Sequence, residues 1–149
     1  MKYHKSCEYC GHRISAYTIG LNQSQISAFS RFAAKYLENG RKPLLKPAIG
    51  LSNAQYTNFH NLVYFGIIFK APEHDGWYLT ELGEKFYYGE TDILTPAGFM
   101  GGQALSEEHE AWKTHDKPRK LVNIRDLMPL EWKKRPQYQQ EKSNQISMI

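Results

Sequence analysis

Five glycines (Gly40, Gly50, Gly66, Gly76 and Gly89) and three prolines (Pro43, Pro47 and Pro72) cut residues 22–89 into short segments. Glycine ends a helix in the left-handed conformation, and proline removes a backbone donor, so each segment has room for one short helix or strand. Residues 22–40 place Ile26, Phe29, Ala33, Tyr36 and Leu37 on one helical face, with Asn22 or Ser24 as the cap. Residues 41–50 have room for about one helical turn, starting at Pro43, before Pro47 disturbs it. Ser52 and Gln55 form a capping box, with Leu51 as its staple, for a helix over 52–65 that Gly66 stops. Tyr56, Phe59, Leu62 and Val63 make that helix's expected apolar face. Residues 67–71 and 77–80 read as the strands of a hairpin, with turn residues between them. Thr80 caps a last short helix, with Leu82, Phe86 and Tyr87 apolar, ending at Gly89.

The remaining segments carry weaker signals. Residues 1–21 are a polar head holding Cys7, Cys10 and Gly11. Pro96, Gly98, Gly101 and Gly102 suggest a loop, 105–115 a short helix, and 121–125 a weak strand. The chain is polar from Glu131 onward and is expected to fray. The expected division is a zinc-knuckle head over 1–21, a main domain over 22–89, an extension over 90–130 packing on it, and a polar tail over 131–149. A hydrophobic content of 41% with 23% charge is the balance of a globular chain. No apolar run approaches the ~18 residues of a membrane span, and the N-terminus lacks the apolar stretch of a secretory signal. Two cysteines make no disulfide framework, so a reducing, cytoplasmic setting is expected.

The element order is long helix, short helix, turn, capped helix, hairpin, short helix. This is the layout of a winged helix-turn-helix within an α+β fold, in which the third helix enters a DNA major groove. Its outward stripe would be Asn53, Thr57, His60, Asn61 and Tyr64. Asparagine pairs bidentately with adenine, and threonine reaches a base edge or a thymine methyl. Arg31, Lys35, Arg41, Lys42 and Lys46 would contact phosphates and set position rather than sequence. The charge is polarised. Residues 1–50 hold eight basic and two acidic residues, residues 51–110 two and nine, and residues 111–149 nine and four. The bland alternative is that stripe and charges form an ordinary solvated face. Glu73 and Asp75 at the hairpin tip would repel phosphates, so either His74 and Lys70 make the contact there or the hairpin makes none.

The start C-x-x-C-G, the segments LSNAQYTNFHNLVYFGII and GWYLTELGEKFYYGE, and the later LVNIRDL resemble a small winged-helix family of bacteria and their phages. The resemblance spans about residues 7–127. Its strongest motifs are N-F-x-x-L-x-Y-F-G (Asn58, Phe59, Leu62, Tyr64, Phe65, Gly66) and T-x-x-G-x-x-F-x-x-G (Thr80, Gly83, Phe86, Gly89). Both are packing and helix-stop patterns, and the family has no characterised function, so the resemblance implies a fold and not an activity. It also implies a bacterial cell or a phage-infected host as the setting.

Cys7 and Cys10, with Gly11 freeing the turn, suit a zinc knuckle but supply half of a tetrahedral site. The other ligands would come from His4, His12, His109 or His115, or from a second chain. An eroded finger or two free thiols are the alternatives. A thioredoxin-like pair is disfavoured, because no strand is read before Cys7 and no apolar helix directly after Cys10. No P-loop, G-x-G-x-x-G or G-x-S-x-G occurs. His109-Glu110 begins like H-E-x-x-H, but the next histidine is His115, off the required face. An enzyme is therefore not expected. The expected partner is double-stranded DNA, with a transcriptional regulator as the role. The rival is a non-catalytic module that docks a protein partner through a Tyr/Phe-rich surface.

Overall fold

A computed structural model describes residues 1–72, 75–116 and 118–136. The class is α+β. The chain begins with β1 (His4–Ser6) and β2 (Arg13–Ile19), followed by α1 (Gln23–Glu38), α2 (Lys46–Ile49) and α3 (Asn53–Asn58). Beyond α3 the backbone tightens into a 3-10 segment, Phe59–Phe65. Then come β3 (Ile68–Lys70), β4 (Trp77–Leu79), α4 (Glu81–Tyr87), β5 (Ile93–Thr95), β6 (Ala97–Met100) and β7 (Gln103–Ala104). A second 3-10 turn (Glu110–Thr114), β8 (Lys120–Val122) and α5 (Ile124–Leu127) complete the described fold.

The local signals explain most helix ends. Asn22 caps α1, and Gln25 returns the bond to the Asn22 N–H, making a second capping box. Ser52 and Gln55 do the same for α3. The Thr80 side chain accepts from Gly83 N–H at 2.9 Å while its hydroxyl donates to the Gly66 carbonyl at 2.6 Å, tying α4 to the end of the 3-10 segment. In the region expected to hold a helix from Pro43, the turn instead begins after Leu45, with Pro47 in its first turn. A missing N–H costs nothing there, because first-turn donors have no intrahelical partner.

Ile26, Phe29, Phe32, Ala33 and Tyr36 of α1 are buried with Ile49, Phe59, Leu62, Phe65, Trp77, Leu79 and Phe86. Ile93, Ala97 and Ile124 belong to the same core. Phe59 sits edge-on between Phe32 at 5.4 Å and Trp77 at 5.1 Å, so the 3-10 segment locks α1 to the hairpin. Gly83 permits the closest approach. A Cβ there would lie 2.8 Å from Leu79 Cδ1 and 3.0 Å from the Ile67 carbonyl carbon, with the carbonyl oxygen nearer still. Two expected core residues face outward: Tyr56 and Leu82 are 42% and 40% exposed.

Residues 97–104, read as a loop, are two strands. Antiparallel β2 pairs with β6 from Ala16↔Met100 to Ile19↔Ala97, so the N-terminal head and the extension share one sheet, ordered β1-β2-β6-β7. Glycines hid these strands, and Gly98 is needed because a Cβ there would lie 2.7 Å from Trp112. The weak strand expected at 121–125 is β8, paired with β5. Within the segment expected to fray, residues 131–136 make contacts with the fold. Trp132 N–H donates to Met128 O at 2.9 Å, and Arg135 donates to Glu90 at 2.8 and 2.9 Å and to Glu84 at 3.0 Å. The hairpin-tip residues Glu73 and His74, and the tail over 137–149, lie outside the described residues.

Candidate functional site

No residue of α3 is buried. Its capping box fixes its start, with Gln55 N–H to Ser52 Oγ at 3.3 Å and Ser52 N–H to Gln55 Oε1 at 3.1 Å. Gln55 Nε2 also donates to the Ser24 carbonyl at 3.1 Å, which pins α3 across the start of α1. Asn53 and Thr57 project into solvent from this short rod, and His60 does so from the next turn. Thr57 Oγ1 donates back to the Asn53 carbonyl at 3.0 Å, and Asn58 Nδ2 to the Ala54 carbonyl at 3.1 Å. Such back-bonding competes with regular helix geometry just where α3 gives way to 3-10 geometry.

The expected five-residue stripe is therefore broken. A 3-10 turn takes about 3.0 residues rather than 3.6, so positions computed for an α-helix drift around the axis after Asn58. Asn61 is half-buried. Tyr64 is stacked on Phe99 of β6, with ring centroids 4.5 Å apart and planes within 9°. Strands β6 and β7 pack on the 3-10 segment, so Tyr64 faces protein rather than an open groove. The exposed stripe is Asn53, Thr57 and His60.

The basic side chains surround α3 but several have structural partners. Arg31 and Lys35 of α1 donate to the carbonyls of Gly50 and Ala48 (the latter at 3.3 Å), neutralising the end of α2. Arg41, with a positive φ of 60°, pairs with Glu84. Lys42 is exposed. Lys46 lies over the Tyr56 ring, 4.4 Å from its centroid, which explains why Tyr56 stays at the surface. Burial, with the Lys70 charge second, draws Lys46 below the usual lysine range. Lys70 lies 6.0 Å from the Trp77 ring centroid and pairs loosely with exposed Asp75 at 3.5 Å. Lys46, Tyr56 and Lys70 thus make a cationic and aromatic patch between α2, α3 and the hairpin. Of its members, sequence reasoning missed Tyr56, whose helical spacing was indistinguishable from that of a core residue.

Cys7 and Cys10 occupy the turn joining β1 to β2. Cys7 N–H donates to the His12 carbonyl at 2.8 Å and Gly11 N–H to the Cys7 carbonyl at 2.9 Å. Backbone N–H groups of Tyr9 and then Cys10 donate to the Cys7 sulfur and hold its thiol below the usual range. Cys7 is half-buried and Cys10 exposed, and both are free thiols. Of the histidines weighed as partners, His4 Nδ1 lies 3.1 Å from Arg13 Nη2, and His109 Nδ1 accepts from Ala111 N–H at 3.0 Å. His115 has both ring nitrogens enclosed beside Trp112. Among the described residues no group of three or more His, Cys, Asp or Glu side chains converges on one point. Among them, too, no helix is long and apolar enough to cross a membrane.

Comparison with protein-family models, curated proteins and solved structures finds no match. The motifs behind the sequence resemblance act in packing here: Phe59, Leu62, Phe65, Gly83 and Phe86 are all buried.

Proposed function

We propose that residues 22–89 form a winged helix-turn-helix that binds double-stranded DNA without catalysis, as a transcriptional regulator does. In this reading α3 enters the major groove, α1 and α2 buttress it, and the β3–β4 hairpin lies along the backbone. The observation that carries the reading is the setting of α3: a helix with no buried residue, inside a stretch (residues 22–71) with six basic residues and one acidic residue.

Asn53, Thr57 and His60 would meet base edges, because the N-terminal turns of a recognition helix are the part that reaches them. Lys46 and Lys70 would share a phosphate. Their mutual repulsion is relieved by an anion between them, and Tyr56 and Trp77 hold the two ammonium groups in place. Lys42 supplies a further contact. Arg31 and Lys35 act mainly as caps of α2 and approach the backbone through it. Asn61 and Tyr64, both half-buried and lying on the 3-10 segment beyond α3, are left out of the base-reading set in this reading.

The test is a mobility-shift titration of the full chain on a random duplex pool over a salt series. Binding that weakens steeply with salt is expected, with a selected sequence preference that Asn53→Ala and His60→Ala relax. Absence of binding at low salt refutes the proposal.

A second reading, a protein-docking module, draws on one observation. The sheet that covers Tyr64 leaves only α3 and His60 of the intended groove-facing helix exposed. A pull-down that retains a protein partner but loses nucleic acid at moderate salt would select it.

A further inference from the structure

We propose that Cys7 and Cys10 are half of a four-thiolate zinc site that the same pair from a second copy of this chain completes. The turn between β1 and β2 has the build of a metal knuckle. Cys7 N–H donates to the His12 carbonyl at 2.8 Å and Gly11 N–H to the Cys7 carbonyl at 2.9 Å, so the backbone folds tightly around Cys7, whose sulfur also accepts from the Tyr9 and Cys10 N–H groups. Gly11, at φ +71°, supplies the left-handed step that lets the chain return into β2. Oriented N–H donors to sulfur are what a thiolate metal centre requires of its surroundings.

The site is incomplete within one chain. Zinc takes four ligands in a structural site. His4 is engaged with Arg13, His109 caps the 3-10 turn at Glu110–Thr114, His115 is enclosed beside Trp112, and exposed His12 forms no group of three ligands with the two cysteines. The described residues bring no third ligand to the sulfurs. The knuckle is also open: Tyr9 is 97% exposed, and Cys10, Gly11 and His12 are all exposed. A second hairpin can approach it, and a two-fold axis through the metal makes the two contributions identical. Zinc held by four thiolates carries a net negative charge, and in each copy Lys5 and Arg13 beside the turn outnumber Glu8 within it and offset that charge.

The test uses the full chain, purified under reducing conditions without added zinc. Metal content and solution mass are measured before and after treatment with a strong chelator, and cobalt is then added to the metal-free protein. One zinc per two chains in a dimer is expected, reverting to monomer on chelation. Cobalt should give the intense sulfur-to-metal absorption and visible bands of a tetrahedral four-sulfur site. Cys10→Ser and Cys7→Ser should each lose zinc and dimer together while keeping the helical circular dichroism of the metal-free wild type. Zinc bound one per monomer, two titratable thiols on a metal-free chain, or a Cys7–Cys10 disulfide in the purified protein would each overturn the proposal. DNA binding by a metal-free monomer is read separately and does not bear on it.

Discussion

Replacing Lys46 and Lys70 together by alanine separates a phosphate-binding patch from an ordinary solvated face. On double-stranded DNA each neutralised phosphate contributes a slope of about −0.9 to log affinity against log salt. Because the two lysines share one phosphate, removing both lowers the magnitude of the slope by about 0.9. Over a fourfold rise in salt, from about 50 to about 200 mM, the affinity advantage of the wild type over the variant should shrink by about three- to fourfold. The structure also sets the stability cost. Lys46 gives up its place over Tyr56 at 4.4 Å, worth about 0.5–1 kcal/mol at a surface site. The Lys70–Asp75 pair is exposed at both ends and contributes little. The variant should thus stay folded, with a melting temperature lower by about 1–4 °C. The control is Lys85→Ala, because Lys85 already pairs with Glu81 at 3.5 Å on an exposed face of α4. The measurement is fluorescence anisotropy on a labelled duplex at four salt concentrations. Parallel salt lines for wild type and double variant would refute the assignment of these lysines to phosphate.

Three further outcomes follow from the geometry. Gly83→Ala should destabilise the fold by about 2 kcal/mol, because overpacking against Leu79 and the Ile67 backbone outweighs the roughly 1 kcal/mol of helix propensity gained. A melting temperature lower by about 4–8 °C checks this, and an unchanged one refutes the close packing of α4 on residues 66–68. Arg135→Ala should cost about 1 kcal/mol, because Glu84 keeps its pair with Arg41 and Glu90 is open enough for water to replace the lost bonds. The hydrogen bond from Arg135 holds Glu90 below its ordinary 4.5, so that stabilisation is present above 4.5 and is lost as pH falls through the lowered value. Wild-type and variant melting temperatures should therefore converge on acidification, and a constant gap would refute the linkage. Tyr64→Phe keeps the stack on Phe99 and should leave DNA affinity unaltered, whereas a loss of about tenfold would put the hydroxyl back in the interface.

What was legible in the sequence was whatever a few neighbouring residues decide. The Ser52–Gln55 box, the Asn22 and Thr80 caps and the pairing of β3 with β4 each depend on residues within a few positions, and each stands where expected. The pairing of β2 with β6 joins positions some eighty residues apart, and no local pattern announces it. Glycines at 98, 101 and 102 made that segment look like a loop, although Gly98 is there because Trp112 fills the space of its side chain. The misplacement of Tyr64 has the same origin. A stripe counted at 3.6 residues per turn assumes one regular helix and an empty side, and the chain supplies a 3-10 segment and a sheet.

That sheet also links the two candidate sites. The knuckle turn leads directly into β2, whose Tyr17 is in register with Phe99, and Phe99 carries the stacked ring of Tyr64 at the end of the segment that α3 begins. Strand pairing and the Tyr64–Phe99 stack thus connect the strand that follows the Cys7–Cys10 turn to the segment that α3 begins. If one zinc joins two copies, the two-fold axis through the metal fixes the separation and orientation of the two α3 helices. DNA half-sites read by such a pair must be inverted repeats, and their centres must be spaced by about 34–36 Å or a multiple of it. Chelation would then leave each copy able to bind a half-site but abolish the preference for one spacing over another. A duplex series that varies only the half-site spacing, read with and without chelator, distinguishes a metal that sets this geometry from one that merely holds the β1–β2 turn together.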